Sequence, residues 1–175
     1  VIGFLFYSFP VIWPYLISEL GMTESQLGMV SAFYFMPVAI LAIVIGRALD
    51  KYSVKNFMMI GAVIYAIGLF SLSFINSYWS LLTIYLTILA LGSIMMGNLA
   101  VAKLISNWFD KNAGRALGIA AIGISFSGVM LPLIVDPLLE LVGWRNVYVI
   151  FASIVFFIIL PLVFFTVIDD PKAVN

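Results

Sequence analysis

Apolar residues fill this chain in six stretches of about 20 residues, divided by short polar breaks. The stretches fall near 1 to 19, 27 to 47, 56 to 75, 79 to 104, 113 to 136 and 146 to 168. A helix rising about 1.5 Å per residue needs about 20 residues to cross a hydrocarbon core roughly 30 Å thick, so each stretch has the length of one crossing. The pattern predicts an all-α membrane protein of six transmembrane helices. Short breaks make consecutive helices antiparallel neighbours and leave no room for a soluble domain, so residues 1–168 form one bundle.

Composition agrees with a bilayer as the main partner. The chain is 65% hydrophobic and only 9% charged, too few polar side chains to coat a soluble globule. Net charge is zero, which gives no basic balance for nucleic acid. Cys and His are both absent, which excludes a disulfide framework, haem or zinc sites held by thiolate or imidazole, and hydrolases with a His base. No cofactor, no metal site and no enzymatic activity are predicted. The chain opens on Val1 inside an apolar run, and a start downstream of the natural one is expected.

The sixteen charges (8 + 8) fall unevenly. Arg47, Lys51 and Lys55 flank the second break, Lys103, Lys111 and Arg115 the fourth, and Lys172 lies in the tail, whereas the odd breaks carry only Arg145 beside Glu19, Glu24 and Glu140. Lys and Arg collect on the cytoplasmic side. Both ends and the even breaks are therefore expected in the cytoplasm, at a cell (plasma or inner) membrane. Residues 169–175, with Asp169, Asp170 and Pro171, then begin a cytoplasmic linker.

The densest polar knot is Gly46-Arg47-Ala48-Leu49-Asp50-Lys51-Tyr52-Ser53-Val54-Lys55. Its spacing, Gly-x-x-x-Asp-Lys-x-Ser-x-Lys, resembles the signature loop between the second and third helices of the major facilitator superfamily, with Ser53 for the usual Gly and Lys51 for the usual Arg. Adding 90 carries Asp50-Lys51-Tyr52-Ser53-Val54-Lys55-Asn56 onto Glu140-Leu141-Val142-Gly143-Trp144-Arg145-Asn146, and Leu27-Gly28 onto Leu117-Gly118. Copies three helices apart lie on opposite membrane faces, so this reads as an inverted repeat of the transporter kind. The fourth loop, Trp108-Phe109 through Gly114-Arg115-Ala116-Leu117-Gly118, is similar to that of the monocarboxylate and oxalate/formate-like porters, although Ala113 stands where Arg usually precedes Gly. Gly143-Trp144-Arg145 is another recurrent feature of that branch. An unrelated six-helix protein using such loops only as positive anchors is the plainer reading.

The resemblance implies two inverted three-helix repeats, forming the N-terminal half of a twelve-helix secondary transporter whose C-terminal half is absent from this chain. It implies alternating access, a small-molecule substrate such as a monocarboxylate or other organic anion, and a coupling proton or exchanged anion. It also implies that Asp50 holds the cytoplasmic ends of the two halves together, with Arg47 and Lys55 as local partners. A non-transporting sensor or assembly protein with a six-helix core is the competing class.

Polar residues within the spans point to a transport path. Ser8 and Asn98 are related by the offset of 90. Steps of three and four put Ser8 on a face with Phe4, Val11 and Tyr15, and Asn98 with Thr87, Leu91 and Ile94. In the superfamily the first and fourth helices line the cavity, which makes these faces, with Tyr7 and Tyr34, the candidate lining; bonding of Ser8 and Asn98 to helix backbone is the alternative. Lys103 is expected to snorkel to the cytoplasmic interface, and Asp136 to sit at an exposed helix end. Ile88 occupies the position where drug/proton antiporters carry Arg, four before Gly92, which disfavours that branch. The fifth helix carries two ridges of small residues, Gly114, Gly118, Ala121, Ser125 and Gly128 on one face and Ala116, Ala120, Gly123 and Ser127 on the other, as for a helix packed on two sides.

Overall fold

A computed structural model describes residues 2–109 and 111–169, and among these residues it is helical with no strand. Asp110, Asp170, Pro171 and Lys172, and with them most of the expected linker, lie outside the described residues. In chain order the helices are α1 (Ile2–Phe6), α2 (Phe9–Leu20), α3 (Glu24–Leu49), α4 (Val54–Leu72), α5 (Tyr78–Ile84), α6 (Ala90–Met96), α7 (Asn98–Trp108), α8 (Ala113–Ile154) and α9 (Leu160–Thr166). Two π-helical turns interrupt them, Tyr85–Leu89 between α5 and α6 and Val155–Ile159 between α8 and α9.

Local chemistry sets the ends. Gly21 closes α2 in the left-handed conformation, and Thr23 opens α3 with a capping box shared with Gln26. Ser53 caps α4 through the Asn56 N–H, and Ser77 and Ser80 form the capping box of α5. Four continuous helical stretches are long and apolar enough to cross a membrane: Glu24–Leu49, Val54–Leu72, Tyr78–Trp108 and Ala113–Thr166. At about 1.5 Å per residue the last would run roughly 80 Å, more than twice a bilayer core. Gly143 resolves the excess: at φ 75°, ψ 159° it adopts a backbone that other residues rarely take, and the chain turns back there.

α4 packs against α6, α8 and α9, and its contact with α6 is the most extensive between two helices. A Cβ added at Gly92 would come within 2.7 Å of the Tyr65 nitrogen and 2.8 Å of its Cα. The two backbones come this close because Gly92 has no side chain to hold them apart. The main core includes Leu16, Leu27, Leu69, Leu81, Leu139 and Tyr148; a smaller one gathers Leu49, Val54, Met58, Ala100, Val163 and Val167 near the basic end. Outside, large apolar side chains such as Phe35, Met36, Ile43, Ile67, Ile119 and Phe157 are exposed over an area no soluble surface tolerates, as expected of a face in lipid.

One expectation needs correction. The fifth stretch does not stop near 136: helix continues to Gly143, because Pro137 begins no break and Leu139 is buried. The helix from Ala113, expected to pack on two sides, shows little packing against the rest of this chain. Within the described residues its first half is exposed nearly all round, and the small ridges are covered only where Ser127 meets Gly3 and Gly128 meets the Tyr7 ring.

Candidate functional site

Ion pairs lie at the two ends of the bundle, and among the described residues there are two of them. At the basic end, Asp50 at the C-terminus of α3 accepts a hydrogen bond at 2.7 Å from Lys103 on α7. Arg47 and Lys55, its expected partners, do other things. Arg47 is exposed in the last turn of α3, where a cation complements the helix dipole. Lys55 sets its ammonium over the Phe164 ring at 5.0 Å, and its backbone N–H donates to Asp169 Oδ1 at 2.7 Å. Asp50 is a bridge between helices rather than a local counter-charge, and Lys103 is a partner rather than a free snorkelling cation. Lys51 points to solvent, and Gly46 would accept a methyl at ordinary contact, 3.8 Å from Leu99.

Trp108 donates its indole N–H to the Ile168 carbonyl at 2.7 Å, and Asn107 donates to the Asp169 carbonyl at 3.1 Å. The fourth-loop tryptophan thus fastens the end of α9 to the end of α7. Phe109 and Arg115 are exposed, and Gly114 and Gly118 have open space around them.

At the opposite end Glu19 accepts hydrogen bonds from the Trp144 indole and from Arg145, and Arg145 also lies over the Trp144 ring at 4.1 Å. This ties the end of α2 to the start of the helix after Gly143. Glu140, matched to Asp50 by the repeat, is exposed; here the base of the second copy, not its acid, makes the bridge. Glu19 lies past the apolar run of α2, half-exposed, and the indole N–H, then the guanidinium, hold its carboxyl below the ordinary 4.5. A lowered pKa contributes stability that is present above the unfolded value and lost as pH falls through the folded one. Wild type should therefore melt higher than Glu19→Gln at neutral pH, and the difference should shrink below pH 4.5. A thermal melt series in buffered detergent measures this; a pH-independent difference would contradict the assignment.

Between the ends the polar groups are neutral except Asp136, which is exposed about two turns before Gly143 inside α8 rather than at a helix end. Ser8 is fully buried and gives its hydroxyl to the Phe4 carbonyl, while Phe4, Val11 and Tyr15 of its expected face are half-buried. Tyr7 packs on Gly128, and Tyr15 is half-buried with its carbonyl taken by Ser18. Thr87 is exposed and bonds back to the Thr83 carbonyl at 2.6 Å. It does not continue the Asn98 face, because the π-turn at Tyr85–Leu89 adds a residue and the helix breaks at Gly97. Asn98 opens α7 just after that break and lines a cleft of about 620 Å³ with Met96, Ala102, Ala120, Gly123 and Ser127. Backbone freed by a break is tolerated at membrane depth where it lines a water-filled cavity. Tyr34, buried, donates to Ser93 at 2.6 Å; Ser93 carried no signal in the helical pattern because it sits among apolar neighbours.

The sequence pattern of the Major Facilitator Superfamily fits residues 1–175 of this chain. The chain belongs to that superfamily. Among curated proteins it is similar to MFS-type transporter 1 of Ophiocordyceps sp. (strain BCC 1869), 26% identical over 140 residues, covering 80% of this chain and 31% of the relative. It is also similar to the riboflavin transporter MCH5 of Saccharomyces cerevisiae, 25% over 112 residues and 62% and 21% of the two lengths. A third relative is the probable nitrate transporter NarT of Staphylococcus aureus (strain JH9), 29% over 141 residues and 80% and 36% of the lengths. The chain spans about a third or less of the length of these relatives. The superfamily chain is a multi-pass membrane protein of a transporter family, not an enzyme.

Proposed function

We propose that this chain is the N-terminal half of an alternating-access secondary transporter, with a second half completing the solute path. The observation that carries the reading is the distribution of ionic contacts: both bridges sit at the ends and the interior offers only neutral groups around clefts. Two ends held by separable ionic contacts are what rocking between inward-open and outward-open states needs. The six crossings would be α1 with α2, α3, α4, α5 through α7, and the two parts of α8 to either side of Gly143, the last continuing into α9. These form two inverted repeats with both ends cytoplasmic. Membership of a superfamily whose curated relatives are named transporters favours this over a sensor or assembly protein.

The solute is a small organic molecule. Likeness of the Trp108 to Gly118 loop to the monocarboxylate and oxalate/formate branch favours a monocarboxylate or other organic anion, moved with a proton or in exchange for another anion. Its counter-charge would come from the other half, since Lys103 is engaged by Asp50 and the remaining basic side chains of residues 2–169 sit at the ends.

The chain has no cysteine, so single cysteines report topology cleanly. Introduced into the full-length protein at Thr23 and Ser77, they should react with an impermeant maleimide from outside; at Ser53 and Asn112, only from the cytoplasm. Outside labelling at Ser53 would invert the arrangement.

A further inference from the structure

Four tyrosines from different elements meet in the interior: Tyr34 of α3, Tyr65 of α4, Tyr85 of the π-turn and Tyr148 of α8, each 4% exposed or less. Tyr34 is satisfied by Ser93, which donates onward to the Ala90 carbonyl at 2.9 Å, and Tyr65 reaches the backbone of Leu5. Tyr85 and Tyr148 differ. Their hydroxyls are buried beside one another with no polar partner but each other, so at least one of the two protons lacks an acceptor. Phenylalanine would fill the same space without that penalty, so a paired occurrence calls for an acceptor or donor that completes it.

A recess of about 40 Å³ lies against Tyr85, lined also by Phe6, Pro10, Ser31 and Tyr34. One water needs about 10–15 Å³ on this measure and two to four polar partners, so the recess has room for at least one. The partners converge there. Tyr85 brings a free donor, and Ser31 and Tyr34, already donating to Leu27 and Ser93, keep lone pairs to accept. Pro10 has no N–H to offer the Phe6 carbonyl one turn earlier. No ionised group lines the recess, so a neutral occupant leaves no charge to balance.

We propose that this recess is a bound-water site. The water accepts from the Tyr85 hydroxyl and donates one proton to the Phe6 carbonyl of α1 and one to Ser31 or Tyr34 of α3; Tyr85, its proton turned to the water, then accepts from Tyr148. One neutral network would thereby join the broken first helix, α3, the π-turn and α8. This inference is independent of the transport reading, since it concerns the resting protein without solute.

Stability of the full-length protein in nanodiscs tests it. With water present, Tyr85→Phe and Tyr148→Phe each remove a satisfied partner and should each lower Tm by about 2 °C or more, and the double variant should fall by less than the sum. Because Tyr85 alone also holds the water, Tyr85→Phe should cost more than Tyr148→Phe; no loss of Tm, or a Tyr85→Phe loss no greater than that of Tyr148→Phe, would mean a dry pair and overturn the proposal. Should a variant not fold, hydroxyl-radical labelling of the wild type in isotope-labelled water replaces it: activated bound water should mark the buried Tyr85 ring, and an unmarked Tyr85 would overturn the site.

Discussion

Gly92→Ala should destabilise the full-length protein more than the same change at Gly61 or Gly68, the other two glycines where α4 meets its neighbours. The added carbon would stand 2.7 Å from the Tyr65 nitrogen, 2.8 Å from its Cα and 2.9 Å from its Cβ, so a backbone and not a side-chain tip must give way. Overpacking of this kind costs about 1–3 kcal/mol, more where nothing flexible can move. Relief would require α6 to part from α4, loosening the Gly61 contact to Met95 beside it. Gly28→Ala is the matched control: its methyl meets no atom within 4 Å and replaces the poorest helix former but one, so stability should hold or rise. Thermal melts of these variants decide this, and an unchanged Tm for Gly92→Ala would mean that α4 and α6 do not approach as described.

Reversing the charge at Asp50 or at Lys103 should cut solute uptake, and reversing both should restore much of it. The pair spans 2.7 Å, with the two side chains 66% and 33% exposed, so its worth as a surface bridge is at most about 1 kcal/mol. That is small for stability, yet about 1 kcal/mol moves a two-state equilibrium about fivefold. A single reversal also places like charges together, at the end where Arg47 and Lys51 or the nearby Asp169 already crowd the same sign. Transport should therefore fall severalfold in Asp50→Lys and in Lys103→Asp while expression holds, with recovery in the double variant. Loss in the double variant equal to that of the worse single would show that the two side chains act apart from one another.

Helix positions were largely legible, because length and hydropathy suffice to find segments that must span a bilayer, and because Thr23, Ser53 and Ser77 cap where the apolar runs resume. The Gly46 to Lys55 knot was legible as a surface loop for the same reason: its charges cannot enter hydrocarbon. Partners across helices were not. Lys103 meets Asp50 from 53 residues away, and nothing in the local pattern separates it from Arg47 or Lys55 as the counter-ion. Face assignments on the fourth helix assumed about 100° per residue throughout, and the π-turn at Tyr85 and the break at Gly97 each reset that count. Ser8 looked like a path residue by its polarity, but a serine in a helix can spend its hydroxyl on the preceding turn, and this one does. The bridge of Glu19 to Trp144 and Arg145 was hidden for want of a partner in sequence, though the acid at the first break and the base at the fifth were visible on the same side.

A gate at Asp50 and a mere positive anchor differ most in how they control access to the cleft at Asn98. In the full-length protein, a single cysteine at Asn98 is exposed to a membrane-impermeant maleimide from the cytoplasmic side, with and without Asp50→Asn, which removes the charge and keeps the shape. If Asp50 holds one of two alternating states closed, labelling should be faster in Asp50→Asn, by about fivefold at most, together with slower turnover and near-normal expression. Equal labelling rates with wild-type uptake would contradict the gate and leave the loop as a positive anchor alone.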